Sequence, residues 1–362
     1  MFDVGVYKLP MAHPGDVSEL EKKIALGEIV PQEIVAVIAQ TEGVGYDRGY
    51  ATLAFQVLLS EKLGITKQEV FDRIPMLMIG LTGGLMSPHY TIFTRKEVAG
   101  EVTGTEKRFT IGIANTPILK PEEYGTVEQI RLVAAAVKEA MQDAGIDDVS
   151  DVHCVEVKLP AMTPDRAADA KSRGKALVPG DVTTLAKGAC ALGVGVAMGE
   201  LNIDNIKQED ICKNWDLYSV KASTSAGGEQ VAARIVLMGN STKSQSKFYA
   251  GSGVMQDQLD IEGAKDALRS AGLEFECMPS KEQQDRIVNV FINAGADSVN
   301  AVRGRRHTIK TDFLTGYSGI VAKAVANAVV ASIVGDPMIL ASAGSEHQGP
   351  LGANLLCVIT RA

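Results

Sequence analysis

The sequence predicts a mixed α+β fold built from three structurally similar modules around a pseudo-threefold axis. Three observations carry this expectation. A β-rich run stopping at a polar residue occurs three times. Each run is followed by a helix rich in small residues, and each helix by a second strand-like segment with a small-residue turn. An internal repeat of this kind decides the architecture before any single element does.

The first runs are "EIVAVIAQTEG", "DVHCVEVKLPAM" and "DRIVNVFINAGAD", stopping at Gln40, Lys158 and Asn293. Each is long enough for one buried strand. The helices are "RGYATLAFQVLLSEKLG" from Arg48, "KGACALGVGVAMGEL" from Lys187 and "YSGIVAKAVANAVVASIVG" from Tyr317. Their small side chains permit close approach, which marks them as central. The second strands run through "IPMLMIGLTGGLMSPHYTIF", "KASTSAGGEQVAARIVLMGN" and "DPMILASAGSEHQGP". The modules fall at 1–105, 106–250 and 251–362. Pro, Gly and polar residues make "NTPILKPEEYG" and "TKSQSKFYAGSG" the linkers between them. Amphipathic helices are expected over "TVEQIRLVAAAVKEAMQDAG" and "DIEGAKDALRSAG", each stopped by a C′ glycine.

A chain of 362 residues exceeds one ordinary core. With 46% hydrophobic and 22% charged residues it reads as soluble and globular. The net charge of −8 argues against a nucleic-acid partner, because no basic surplus neutralises phosphates. The five cysteines are scattered without a CxxC pair and fit reduced thiols in a cytoplasm. The opening "MFDVGVYKLPMAHPGD" lacks a signal-peptide core. The longest apolar stretch, Ile320 to Gly335, is interrupted by Lys323 and Asn327 and is too short for a bilayer. No membrane partner is expected, and the cytoplasm is the expected location.

Equivalent positions define a candidate site on the axis. Strand ends give Gln40, Lys158 and Asn293; turns give Ile79-Gly80, Ser225-Ala226 and Ser342-Ala343. Only the middle module sets a lysine against a serine. A serine hydroxyl is a weak nucleophile until a base takes its proton, and a lysine is a base only when neutral. The apolar wall "VHCVEV" and the nearby cation Lys187 are the features that would lower the Lys158 pKa. Backbone N–H groups at the small-residue turns suit a carbonyl oxygen or an oxyanion. The bland alternatives are a solvated lysine and an ordinary turn. Other signals are weaker. The five histidines show no zinc spacing. "GVGVAMG" lies inside a helix and so is no dinucleotide loop, and "RGRRH" from Arg303 reads as structural ion pairing.

Read together, "EIVAVIAQTEG", "RGYAT", "MSPHYTIF", "DVHCVEVKLP", "GACALGVGVAMGE", "ASTSAG", "IVLMGNS", "VMQD", "RGRRHT" and "SAGSEHQGP" resemble the cyanuric acid hydrolase and barbiturase family of ring-opening amidohydrolases. The resemblance spans nearly the whole chain. It implies a triangular three-module barrel in which each module offers a Ser–Lys pair to a planar ring. It also implies a homotetramer, no cofactor for the chemistry, and a structural divalent metal, Mg or Ca, near the last loop. By this resemblance Lys158 and Ser225 are the catalytic pair. Arg48, Ile79, Gly80, Lys187, Ala226, Ser342 and Ala343 face substrate. Ser345, Gln348, Gly349, Pro350 and Ala353 bind the metal through backbone oxygens.

The departures from the family pattern matter as much. Gln40 and Asn293 stand at the other two lysines, and Ile79 replaces the first serine. Lys187 stands at a substrate arginine; Gly319 falls near another, with Lys323 its nearest substitute. Gly295 occupies the position of the acidic metal ligand, with Asp297 as a stand-in. An asymmetric donor set fits a ring less symmetric than cyanuric acid. The expected activity is hydrolytic opening of a cyclic amide, imide or ureide through an acyl-enzyme. The alternative is an idle relative that binds a planar heterocycle.

Overall fold

The computed structural model describes residues 1–100, 102 and 104–362. The first module runs β1 (Phe2–Pro10), α1 (Ser18–Ala25), β2 (Ile34–Gln40), α2 (Gly45–Leu63), α3 (Lys67–Arg73), β3 (Met76–Ile79) and β4 (His89–Glu97). The second runs β5 (Arg108–Asn115), α4 (Val127–Asp143), β6 (Val152–Pro160), α5 (Pro164–Ser172), α6 (Val182–Ala197), β7 (Ala222–Gly227) and β8 (Arg234–Ser241). The third runs β9 (Phe248–Met255), α7 (Ile261–Ser270), α8 (Lys281–Asp285), β10 (Ile287–Ala294), β11 (Ala301–Val302), β12 (Arg305–Arg306), α9 (Ser318–Val334), β13 (Leu340–Ala343) and β14 (Asn354–Arg361).

Each module makes one four-stranded sheet: β1-β4-β2-β3, β5-β8-β6-β7 and β9-β14-β10-β13. The pairing repeats as well. The outer strand and the next are antiparallel, the middle pair is antiparallel, and the last pair is parallel. The parallel pair is what a strand–helix–strand crossover produces, and the crossovers contain the central helices α2, α6 and α9.

These helices form where the small residues predict them. Asp181 caps α6, accepting from the Thr183 and Thr184 amides. A side chain at Gly193 would meet Val133 Cβ at 2.8 Å and the Ile130 carbonyl at 2.9 Å, so glycine is what lets α6 lie against α4. Helix α9 ends at Gly335 in the left-handed region (φ 76°), as the C′ rule expects. Three clusters fill the space between each sheet and its helices, around Phe55, Val137 and Val330. A fourth is shared by all three sheets. Phe93 lies 6.2 Å from Phe109 and 6.4 Å from Phe291, ring centroid to centroid, closing the barrel interior.

Both linker expectations are corrected: "NTPILKPEEYG" joins β5 to α4 inside the second module. In "TKSQSKFYAGSG" the segment from Phe248 is strand β9, paired along its length with β14. Phe248 and Ala250 are buried on one face. Gly251 is there for packing: a side chain on it would lie 2.1 Å from the Ala271 amide nitrogen, at the end of α7. Among the described residues no helix is long and apolar enough to cross a membrane.

Candidate active site

At the open ends of the three parallel pairs, the register sets each strand-end residue opposite its turn residue. Gln40 faces Ile79, Lys158 faces Ser225 and Asn293 faces Ser342. These corners surround a cavity of about 340 Å³. It is lined by all the substrate and catalytic residues expected from sequence: Arg48, Ile79 and Gly80; Lys158, Lys187, Ser225 and Ala226; Ser342 and Ala343. Two clefts of about 510 Å³ lie elsewhere. In one of them the hydroxyls of Ser244 and Ser246 are tied to the carbonyls of Phe109 and Val4.

The corners differ in what they present. Gln40 is a brace: its amide donates to Thr82 Oγ1 at 2.8 Å and accepts from the Ala341 amide of the third module at 2.8 Å. Asn293 donates to the Gly344 carbonyl at 2.7 Å, while its buried Oδ1 has no partner. Lys158 is 1% exposed, and its Nζ donates to the Met78 carbonyl at 2.8 Å. No hydrogen bond joins Lys158 and Ser225 among the described residues. Burial pushes the Lys158 amine down to about 8; Glu229 opposes this, and the Arg48 cation assists it more than Lys187 does.

Helix depth explains the remaining cations. Lys187 is the sixth residue of α6 and Lys323 the sixth of α9. Both reach the cavity, so Lys323, and not only Gly319, lines the third corner. Lys323 Nζ donates to the Gly80 carbonyl at 2.7 Å, and burial pushes its amine down to about 7. Lys187 is engaged by both Glu346 oxygens, at 2.9 and 3.0 Å. Arg48, on α2, lies against Gly80, where a side chain would meet its Nη1 at 2.9 Å; glycine makes that approach feasible. The buried Arg48 Nε has no partner. Glu346 and Asp297 also line the cavity. Asp297 Oδ1 is buried without a partner, and its carboxyl is pushed upward by burial and then by Glu346. Glu346 escaped sequence reasoning because it sits within a stretch read as a metal loop; an acid beside a small-residue turn was the available signal.

The acidic ligand expected beside that loop is missing, because position 295 is glycine. A divalent cation needs several oxygens, carboxylates among them. At Gly295 a side chain would lie 2.3 Å from the Ala353 carbonyl oxygen and 2.7 Å from Ser345 Oγ. Asp297 lies toward Gly319 and the cavity instead. The Pro350 carbonyl accepts from the Ala353 amide, and the Gly352 carbonyl from Gln258 Nε2. Gln348 Oε1 accepts from the Thr224 amide, and the Gly349 amide donates to the Ser219 carbonyl. Hydrogen bonds therefore hold the loop, with the Gln258–Asn354 amide pair at its base. Among the described residues no three His, Cys, Asp or Glu side chains are grouped to bind a metal.

Comparison with known proteins identifies the family. The family model described as amidohydrolase ring-opening protein matches residues 5–361. A cyclic amide hydrolase of Azorhizobium caulinodans is 44% identical over 99% of this chain and 100% of its own. A cyanuric acid amidohydrolase of Enterobacter cloacae is 43% identical over 98% of each. A solved cyanuric acid hydrolase superposes with a TM-score of 0.93 at 39% identity, covering 100% of both chains. That of A. caulinodans gives 0.89 at 35%, covering 100% of this chain and 99% of its own. With the repeated sheets, the three-cornered cavity and this likeness from end to end, the chain belongs to the ring-opening amidohydrolase family.

Proposed function

We propose that this protein hydrolyses a C–N bond of a cyclic amide, imide or ureide through a Ser225 acyl-enzyme, with Lys158 as the base. The observation that carries the reading is the register: of the three corners, only Lys158–Ser225 pairs a base with a hydroxyl. A neutral Lys158 keeps its N–H on Met78 and has a lone pair for the Ser225 proton. Ser225 Oγ then attacks a ring carbonyl, and backbone N–H groups near Ala226 and Ala343 hold the carbonyl oxygens. The C–N bond breaks, Lys158 returns the proton to the departing nitrogen, and a water activated by the same amine cleaves the ester. Arg48 and Ser342 orient the ring.

The substrate is less symmetric than cyanuric acid. Ile79 offers one ring edge no hydrogen bond, and burying an unmatched carbonyl there costs roughly 1–3 kcal/mol. Lys187 faces Glu346 and Lys323 faces a backbone carbonyl, so the walls offer an anionic ring less net attraction than free arginines would. A ring with a hydrocarbon edge toward Ile79 avoids both costs.

The test is turnover of a panel containing cyanuric acid, barbituric acid and mono- and dicarbonyl cyclic amides and imides. The expected result is ring opening of an asymmetric member, reduced at least about 10³-fold by Ser225→Ala and by Lys158→Ala. Fast cyanuric acid turnover would overturn the substrate assignment. Tight binding of a ring with no turnover would overturn the hydrolase.

A further inference from the structure

A second polar layer lies beneath the catalytic corner. Two residues before Lys158 on β6 stands Glu156, and two before Ser225 on β7 stands Ser223. Side chains alternate along a strand, so each pair shares a face. The register sets Glu156 opposite Ser223 just as it sets Lys158 opposite Ser225. In the other modules the same rung is hydrocarbon: Ile38 opposite Leu77, and Phe291 opposite Leu340. A carboxyl 2% exposed in such a layer is costly unless something compensates it.

What surrounds Glu156 does little of that. Cys154 Sγ donates to it across 3.9 Å. A space of about 10 Å³ beside it is bordered by Ser223, Asn293, Lys221 and Cys357. Ser223 Oγ and Asn293 Oδ1 have no hydrogen-bond partner. Ser223 and Cys154 act on the Glu156 carboxyl first, and the amine on the next rung is the cation that acts on it as well.

We propose that Glu156 is a positioning residue for the hydrolytic pair: its buried carboxylate steadies the Lys158 ammonium and, alongside Glu229, helps set the pH at which that amine becomes the base for Ser225. This rests on the hydrolase reading above. Burial pushes the Glu156 carboxyl up to about 7, with Ser223, Cys154 and Lys158 pulling it down. On Lys158, burial dominates; Glu229 and Glu156 favour the charged amine, while Arg48 and Lys187 disfavour it. Lys323 faces it from α9 and is disfavoured by it in turn. Near the carboxyl, Lys221 is pushed down by burial, His153 to about 4, and the Cys154 thiol well up beside Cys357. That histidine and thiol are therefore neutral across the range that matters. Removing the carboxylate takes away a stabiliser of the ammonium, so Lys158 must lose its proton at lower pH.

Two readouts on the full chain test this. Carbamylation of Lys158 by cyanate, followed by peptide mass spectrometry across pH, reports the amine directly and needs no substrate. The pH dependence of kcat/KM reports it for any ring that is turned over. In Glu156→Gln both midpoints should move to lower pH by roughly half a unit or more. Glu156→Asp, which keeps the charge farther from the amine, should fall between Gln and wild type; it also serves if the Gln variant fails to fold. Unmoved midpoints with only a lower Tm would make Glu156 structural and overturn the proposal. A shifted labelling midpoint in a protein that opens no ring would instead remove the hydrolase reading while leaving the Glu156–Lys158 coupling in place.

Discussion

An amine with its ordinary pKa, 10.5, is neutral in only about one molecule in three thousand at pH 7. At about 8, the value burial gives Lys158, the neutral share rises to roughly a tenth. That gain of a few hundredfold is what separates a general base from a structural cation. The base is active when deprotonated, so kcat/KM should rise with pH and level off above a midpoint near 8. A pH–rate profile checks this, and a flat profile from pH 6 to 9 would exclude Lys158 as the base. Gln40 and Asn293 occupy equivalent places and cannot titrate, so neither supplies a second base. Lys158 opposite Ser225 was legible in the sequence because both lie at repeat-equivalent positions. The Lys187–Glu346 pair was not, because 159 residues separate its partners and only the folded chain brings them together.

Helix seating belongs to the next scale. Gly193 and Gly49 are both helical glycines, yet their surroundings differ. A side chain at Gly193 collides with α4, whereas at Gly49 on α2 nothing lies within 4 Å. Gly193→Val should destabilise the fold by about 1–3 kcal/mol through overpacking. Gly49→Ala should stabilise it by up to about 1 kcal/mol through helix propensity. Denaturant midpoints at constant m-value check both, and equal effects would refute this view of the α4–α6 contact. The helices themselves were legible from small-residue composition and C′ glycines. Strand β9 was misread because Ser, Gly and Lys mark turns in isolation, while here Gly251 exists to admit the end of α7. Composition does not distinguish a glycine that turns the chain from one that lets another element approach.

For the molecule as a whole, the shared interior of Phe93, Phe109 and Phe291 makes each module's stability depend on the other two. The last loop adds a seam between the second and third modules. His347 receives the Cys212 amide on Nε2 and bonds the Leu217 carbonyl through Nδ1, and Gln348 receives the Thr224 amide. With that seam made of hydrogen bonds, dialysis against a chelator should leave Tm within about 1 °C. A fall of several degrees, restored by Mg²⁺ or Ca²⁺, would show that a metal holds it. The threefold plan was legible because the repeats are strong. Whether the loop could hold an ion was not, since Gly295 discloses its crowding only once Ala353 lies against it.

The strand pairing that builds each corner also bears on regiochemistry. In the proposed reaction a ring held between three walls is attacked where the Lys–Ser pair sits, which is the middle module's wall. The same two residues written into another module would bring the nucleophile to the ring from a direction a third of a turn away. For a substrate with inequivalent edges, that rotation would cut a different bond and release a different isomer. Which stretch of chain carries the pair is then a choice of product, made without redesigning the barrel.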